Sequence, residues 1–235
     1  MVTSGSPRSS ATRKTEIVDV ANGLTCSDLA EFPEELYSAV GANLGGTPVI
    51  CGGRGSSGQN LDKCFKFTNS VWEEFVSMKE KRRFAAAVNI NDKLHVFGGY
   101  SGSSNLKTSE IINVEGEVSD GPDLPTGVRG HAMSKINDTV FLLSGGAINT
   151  YNEYSAKTWY YNHDTRAFTS GPDLLEGRNL HGSALNVDKV TKAKIVVITG
   201  GNRYGNFIDS TELLINGQWQ TGTILCRNQE CIDFI

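Results

Sequence analysis

Short apolar runs that end in two glycines occur four times along the chain. They read VICGG (49–53), HVFGG (95–99), LLSGG (142–146) and VITGG (197–201). The first glycines of these pairs lie at 52, 98, 145 and 200, so the intervals are 46, 47 and 55 residues. A period of about 40–50 residues indicates a repeat architecture, in which each unit is one small sheet or helix pair.

The polar and apolar positions of one unit predict four strands. In the second unit, small apolar FAAAVNI (84–90) leads through a turn at 91–92 to continuous LHVFGG (94–99), alternating TSEIINV (108–114) and EVSDGPDL (117–124). The other units follow the same order, and no segment keeps a helical period over ten residues. The continuous runs LHVF, VFLL and IVVI predict strands covered on both faces. Four short antiparallel strands per unit predict a β-propeller blade.

Together these repeats resemble the kelch family. The resemblance rests on the diglycine after an apolar strand, on Tyr100 behind one pair, and on two further sets of residues. These are an aromatic late in the unit (Trp72, Phe168 and Trp219, with Val118 departing in the second unit) and an arginine before the first strand (Arg83, Arg129 and Arg178). The resemblance implies an all-β, kelch-type β-propeller.

The organisation predicted from the repeats is one propeller behind a short tail. Residues 1–14 are predicted to be a disordered tail and 15–30 a half blade. Four complete blades follow at 37–78, 83–125, 130–175 and 180–225, with a remnant at 226–235. Two interpretations stay open: five blades that close imperfectly, or a piece of a larger propeller such as a six-bladed one. We favour the piece.

Composition and charge narrow the classes of partner. The formal net charge of −4 argues against nucleic acid, because phosphate contacts need a clustered basic surface. No run reaches the ~20 apolar residues of a membrane span, and residues 1–14 lack the apolar stretch of a secretory signal. These features favour the cytoplasm.

Among the five cysteines, Cys51 and Cys64 lie at facing positions of a predicted hairpin. They are either a cross-strand disulfide or two buried thiols. A disulfide implies an oxidising, extracellular compartment.

Other motifs carry little chemistry of their own. GGRGSSG (52–58) contains a GxGxxG pattern, but a strand and not a helix is predicted after it, so we expect no nucleotide cofactor. His131 and His181 recur at equivalent places without recurring carboxylates, so we expect no metal. Asn137–Asp138–Thr139 is an N-glycosylation sequon, or simply a good turn.

Function is therefore expected on the loop face, without catalysis or cofactor. By analogy with kelch adaptors of ubiquitin ligases, the resemblance nominates the residues after the glycines and those opening the first strands. An arginine rim would favour acidic segments of a protein or peptide. The alternatives are an extracellular disulfide-stabilised recognition protein and, least favoured, an enzyme of the galactose-oxidase or sialic-acid-processing kind. The nominated residues are Ser38, Arg54, Arg83, Phe84, Tyr100, Arg129, His131, Arg178, His181, Asn202 and Arg203.

Overall fold

The computed structural model describes residues 13–15, 29–148, 153–187 and 192–222, and the backbone of strand residues 2–3, 16–19, 24–26, 226–227 and 230–231. The chain divides into two compact units, Met1–Arg129 and Gly130–Ile235. Most of the predicted tail and of the C-terminal remnant lies outside the described residues.

The first unit contains two four-stranded antiparallel sheets, a three-stranded sheet and a short two-stranded one. Their strand orders are β5-β6-β8-β9 (blade 1), β10-β11-β12-β13 (blade 2), β1-β2-β3 and β4-β7. The strands are β1 (Val2–Thr3), β2 (Thr15–Asp19), β3 (Leu24–Cys26), β4 (Leu36–Tyr37), β5 (Val40–Leu44), β6 (Thr47–Cys51), β7 (Arg54–Gly55), β8 (Lys63–Thr68), β9 (Val71–Ser77), β10 (Ala86–Ile90), β11 (Lys93–Phe97), β12 (Ser109–Ile112) and β13 (Val118–Asp120).

The second unit repeats this arrangement. Its four-stranded sheets are β14-β15-β16-β17 (blade 3) and β18-β19-β22-β23 (blade 4), beside the hairpins β20-β21 and β24-β25. The strands are β14 (Ala132–Lys135), β15 (Val140–Ser144), β16 (Thr158–Asn162), β17 (Ala167–Ser170), β18 (Gly182–Val187), β19 (Lys194–Thr199), β20 (Asn202–Arg203), β21 (Asn206–Phe207), β22 (Thr211–Ile215), β23 (Gln218–Gly222), β24 (Cys226–Arg227) and β25 (Glu230–Cys231). The predicted all-β fold of four-stranded blades is confirmed, and the described residues contain no helix.

The diglycines close the second strand of each blade for a steric reason. All four pairs have positive φ at both residues, for example +65° at Gly52 and +95° at Gly53. A Cβ on Gly52 would lie 2.3 Å from the carbonyl oxygen of Arg82, and the N–H of Gly53 donates to that oxygen at 2.8 Å. Only glycine allows both the left-handed backbone and this close approach.

Apolar contacts between the sheets form the core within each unit. In the first unit, Leu44, Val49, Leu94, Val96 and Ile112 pack in one cluster from strands of blades 1 and 2. In the second, one cluster joins strands of blades 3 and 4 and includes Trp219. The indole N–H of Trp219 donates to the carbonyl oxygen of Pro172 at 2.9 Å, in the GPDL turn of blade 3. Trp219, the late aromatic of blade 4, therefore links this blade to blade 3.

One strand is less buried than its sequence predicts. In β6, β11 and β15 the last three residues or more are buried in succession, whereas β19 of blade 4 alternates between buried and accessible positions. The run IVVI is as apolar as its counterparts. The difference arises because only one face of β19 is fully packed.

A buried ion pair recurs in blades 2 and 4. Arg82 Nη2 lies 2.7 Å from Glu110 Oε1, and Arg178 Nη2 lies 2.7 Å from Glu212 Oε1, with all four side chains at most 3% exposed. Each arginine also donates to two backbone carbonyls, and each glutamate accepts two backbone N–H groups. The burial of both charges is tolerated because each guanidinium meets a carboxylate and two carbonyl oxygens, although the Nε of each arginine has no hydrogen-bond partner among the described residues.

Candidate functional site

Three arginines and two tyrosines gather at one edge of the first unit; we call Arg54, Arg83, Arg129, Tyr37 and Tyr100 the arginine cluster. Short backbone pairings hold it. Tyr37 pairs with Arg54 between β4 and β7, and Arg83 pairs with Tyr100 in an isolated bridge. Both bridge hydrogen bonds form, from the Arg83 N–H at 3.2 Å and from the Tyr100 N–H at 2.8 Å. The loop that follows each of these two diglycines is thereby tied to the segment that enters the same blade.

Two guanidinium groups lie near the phenol ring of Tyr100. The Arg83 Cζ is 5.3 Å and the Arg129 Cζ 5.0 Å from its centroid, and the Arg54 Cζ is 6.0 Å from the Tyr37 ring. These separations are within the range of cation–π attraction. The aromatic faces hold positive charges close together that would otherwise repel one another.

Arg83 carries the least compensated charge of the cluster. Neither Arg83 nor Arg54 forms an ion pair with any described carboxylate, and the buried Nε of Arg83 has no hydrogen-bond partner among the described residues. Burial, and after it the charge of Arg54, lowers the pKa of Arg83 below its ordinary value, and Arg129 acts in the same direction. A guanidinium starts from so high a pKa that it stays a cation at neutral pH. The surroundings of Arg83 therefore favour an anion.

A pocket of ≈ 340 Å³ opens beside these residues. It is lined by Arg54, Arg83 and Tyr100 together with Gly58, Gln59, Asn60, Lys81, Ser101 and Gly102. Its volume lies within the ~300–1,000 Å³ of small-molecule sites. The Asn60 side chain donates to the backbone oxygen of Tyr100 at 2.9 Å, which joins the two loops that form the walls.

A second, slightly larger pocket of ≈ 380 Å³ lies on blade 1. It is lined by Gly41, Ala42, Asn43, Pro48, Val49, Ile50 and Trp72 and has no ionisable group among these residues. It offers no charge to orient a polar ligand, so the pocket beside the arginine cluster is the better candidate for function.

Ser38 and Phe84, both nominated from the sequence, are joined to each other by a backbone hydrogen bond. Both have positive φ, 57° and 54°, and the Phe84 N–H donates to the Ser38 carbonyl at 2.9 Å. The second unit repeats this bond from the N–H of Leu180 to the carbonyl of Gly130 at 2.7 Å. The Phe84 ring also lies 5.2 Å from the Arg83 guanidinium. Phe84 thus borders the arginine cluster, whereas Ser38 contributes a backbone link between blades.

The placement of Arg178 on the binding face needs correction. Its side chain is fully buried and paired with Glu212. Its carbonyl accepts from Gly146 at 2.8 Å, as that of Arg82 accepts from Gly53. Arg178 is therefore the equivalent of Arg82 and not of Arg83. Its charge is neutralised by Glu212 inside the blade.

His131 and His181 are likewise buried. They are 6% and 8% exposed and follow the positive-φ residues Gly130 and Leu180. Burial lowers the pKa of each to about 3, with Arg178 adding to the effect at His181. The Nε2 of His181 lies 2.9 Å from Ser144 Oγ. Both histidines are neutral at physiological pH and belong to the interior of the second unit.

The remaining nominated residues lie on the hairpin β20-β21. Asn202 pairs with Asn179 in an isolated bridge and accepts from the N–H of Gly205 at 3.2 Å. The guanidinium of Arg203 is 3.3 Å from Glu176 and 5.3 Å from the Tyr204 ring. Unlike Arg83, Arg203 has a carboxylate partner.

Cys51 and Cys64 face each other on β6 and β8, and the structure joins their sulfur atoms at 2.04 Å. Both side chains are buried in the core of blades 1 and 2.

Sequence reasoning missed several residues. Tyr37 and Asn60 reach the site only through long-range pairing, so no local signal marks them. The buried pairs do have a signal in the sequence, namely the shared glutamate of TSEII and STELL and an arginine two residues before Phe84 and Leu180.

The described residues contain neither a cluster of metal ligands nor a membrane-spanning helix. No three His, Cys, Asp or Glu side chains in this part of the chain are arranged to hold a metal ion. No helix in this part is long and apolar enough to cross a membrane.

No family model matches the chain. Among curated proteins it is similar to N-acetylneuraminate epimerase of Salmonella typhi, at 31% identity over 130 residues, and of Salmonella arizonae, at 29% over 128 residues. Each match covers 50% of this chain and 33% of the relative, so the similarity spans one third of the length of these proteins. These relatives are named as enzymes. The expectation that the chain is not an enzyme is therefore wrong. It rested on kelch adaptors, whereas the curated proteins that the chain resembles are named as epimerases.

Among solved structures, the chain is similar to one described as "Structure of YjhT". The TM-score is 0.71 over 94% of this chain and 79% of that chain, at 13% sequence identity. At this identity the likeness shows the fold alone. Together with the four-stranded antiparallel blades and their diglycine turns, it establishes that the chain has the fold of a kelch-type β-propeller.

Proposed function

We propose that the chain binds the carboxylate of a sugar acid of the N-acetylneuraminate type at the arginine cluster and takes part in its epimerisation. The observation that carries this proposal is Arg83, a partly buried guanidinium with no described acidic partner, set between like charges at the wall of a pocket. The names of the curated relatives supply the class of substrate and of reaction.

The chemistry of the cluster suits such a ligand. A guanidinium fork matches the two oxygens of a carboxylate, and charge-assisted hydrogen bonds are the strong ones. The aromatic faces of Tyr37 and Tyr100 and the polar groups of Gln59 and Ser101 offer stacking and hydrogen bonding to a hydroxylated ring. Carboxylate binding relieves the mutual repulsion of Arg54, Arg83 and Arg129, which favours the bound state.

Titration calorimetry with N-acetylneuraminate tests the binding step. The neutral sugar N-acetylmannosamine, which lacks the carboxylate, is the matched ligand control. Replacing Arg83 by Ala removes one charge-assisted contact of roughly 1.5–3 kcal/mol, so the affinity is expected to fall about 10- to 150-fold.

The chain contains a matched variant control in Arg203→Ala. Arg203 stacks on Tyr204 at 5.3 Å, the same distance as Arg83 on Tyr100, but it is paired with Glu176 and belongs to the second unit. This variant is expected to bind as the unchanged chain does. Equal affinities for the acid and the neutral sugar, or equal losses in both variants, would contradict the site.

Catalysis is tested separately by following a sample enriched in one epimer of N-acetylneuraminate with proton NMR. We expect the chain to speed the approach to equilibrium over the uncatalysed rate, and Arg83→Ala to slow it. Binding without acceleration would leave a sugar-acid receptor and refute the epimerase part.

The same arginines also favour the second candidate, an acidic segment of a protein, which is the ligand class expected from the kelch resemblance. A carboxylate-rich peptide in the calorimeter distinguishes the two: tighter binding of the peptide than of the sugar acid, lost in Arg83→Ala, would favour protein recognition. No observation on the described residues favours a role in a ubiquitin ligase.

A further inference from the structure

The tip of the β14–β15 hairpin in blade 3 carries the sequence Asn137–Asp138–Thr139. It is the only stretch of the chain in which an Asn is followed, two residues later, by Ser or Thr with no proline between. The corresponding turn of blade 2 reads Asn91–Asp92–Lys93 and lacks the hydroxyl. The repeat itself therefore requires the Asn but not the Thr.

The side chain of Asn137 is arranged with its oxygen inward and its nitrogen free. Oδ1 accepts from the Thr139 N–H at 2.9 Å, from the Thr139 hydroxyl at 3.2 Å and from the Val140 N–H at 2.8 Å. Nδ2 has no hydrogen-bond partner among the described residues. The three bonds fix the orientation of the carboxamide and direct its nitrogen away from the turn.

The surroundings of the tip leave room for a bulky polar group. Asn137 is exposed, and the side chain of the adjacent Asp138 is 95% exposed. The buried side chains of β15 begin at Phe141, beyond the turn. A group attached at Nδ2 would therefore extend into solvent without displacing the core.

The first unit contains a disulfide, which bears on the compartment in which the chain folds. The Cys51–Cys64 disulfide of the first unit forms and persists in an oxidising environment, such as the lumen through which proteins are exported. The same lumen holds the machinery that transfers oligosaccharides to sequons.

We propose that Asn137 is an N-glycan acceptor. In this step Nδ2 attacks the anomeric carbon of an oligosaccharide that is carried on a lipid pyrophosphate. The carbon–nitrogen bond forms as the bond from that carbon to the pyrophosphate oxygen breaks, and the amide gives up one proton. The lipid pyrophosphate is the leaving group, and no oxidation or reduction occurs. This inference is independent of the proposed function, since Asn137 lies in the second unit and the arginine cluster in the first.

To test this, the full chain is expressed in eukaryotic cells with a secretory leader at its N-terminus. Peptide-N-glycosidase should lower the mass of most of the molecules. It should also convert Asn137 to Asp, which tandem mass spectrometry locates. The glycan is read in the cell lysate as well as in the medium, because transfer precedes export. A chain that forms the disulfide but carries no glycan would overturn the proposal.

Variants separate the acceptor from the turn. Asn137→Gln and Thr139→Ala are expected to abolish the mass shift, and Thr139→Ser to retain it, while Asn91→Gln leaves it unchanged. A shift that persists in Asn137→Gln would refute the assignment. The melting temperatures of the glycosylated and the enzymatically deglycosylated chain should agree within a few degrees, because Asn137 is exposed. A much lower melting temperature of the glycosylated chain would show that the site is not open to solvent.

Discussion

The buried pair of Arg82 and Glu110 allows a direct test of how a blade tolerates charge in its interior. We consider the replacement Arg82→Leu. It removes the 2.7 Å contact to Glu110 and two hydrogen bonds to backbone carbonyls, at 2.8 and 3.1 Å. Glu110, whose side chain is 3% exposed, keeps two backbone N–H donors but loses its cation.

The magnitude follows from the burial. Removing one partner of a buried ion pair costs about 3–5 kcal/mol, because the remaining charge is left uncompensated. In a chain of this size, each kcal/mol lowers the melting temperature by about 2–4 °C. We therefore expect a fall of roughly 6–20 °C. An exposed pair gives the control: Lys79 and Asp120, with side chains 50% and 79% exposed, should contribute at most ~1 kcal/mol, so Lys79→Ala has little effect.

Blade 1 suggests the compensating change. Leu36 lies two residues before the positive-φ Ser38, as Arg82 lies two before Phe84, and Phe65 occupies the strand position of Glu110. Leu36 and Phe65 belong to one apolar cluster. The fold thus accepts either an ion pair or an apolar pair at these two positions.

The double variant Arg82→Leu, Glu110→Phe should accordingly be more stable than Arg82→Leu alone, by roughly 2 kcal/mol or more, since no charge stays buried. Urea unfolding monitored by far-UV circular dichroism measures both. A single variant that loses under ~1 kcal/mol, or a double variant that loses the sum of two single ones, would refute this account of the pair.

Three further outcomes follow from the structure. Gly99→Ala should lower the free energy of unfolding in urea by at least ~1–3 kcal/mol, because Gly99 has a φ of +103° and an added Cβ would lie 2.8 Å from a backbone oxygen. Gly46→Ala is the control and should lower it less, because nothing lies within 4 Å of the added Cβ. Reduction of the bond between Cys51 and Cys64, which closes a 13-residue separation, should lower stability by ~3 kcal/mol, and an unchanged melting temperature in reductant would argue against the bond. Burial lowers the pKa of His131 and of His181 to about 3, so below pH ~6.5 the unfolded chain binds more protons than the folded one. As the pH is lowered from ~6.5 to 3, each histidine should therefore reduce the free energy of unfolding by ~1.4 kcal/mol per pH unit. A pH slope that is the same in His131→Leu would contradict this.

The strands were predictable because local pattern and tertiary environment agree. A strand covered on both faces needs a continuous apolar run, and a sharp left-handed end needs glycine, so both requirements are written in residues that are adjacent in the chain. The strand β19 shows the limit of this reasoning. Its apolar run IVVI is as continuous as the run LHVF of β11, yet only its packing partners determine which of its faces is buried.

The arginines show what sequence spacing could not decide. Arg82 and Arg83 are neighbours in the chain, but the first is sealed inside a blade and the second faces a pocket. Its place before the first strand grouped Arg178 with Arg83, whereas the hydrogen bond from Gly146 aligns it with Arg82. A shift of one residue reverses the direction of a side chain in extended backbone, and with it the chemistry assigned.

By itself, the sequence determined that this chain is built from four-stranded repeats with a diglycine at the end of each second strand. It did so because backbone sterics and strand burial act over a few residues. The tertiary structure alone decided which charges are neutralised and which are not. Partners such as Arg82 and Glu110 are 28 residues apart, and the arginine cluster assembles from segments that lie between residues 37 and 129. Electrostatic compensation depends on distances in space and on exclusion of water, and neither is encoded in the local order of residues.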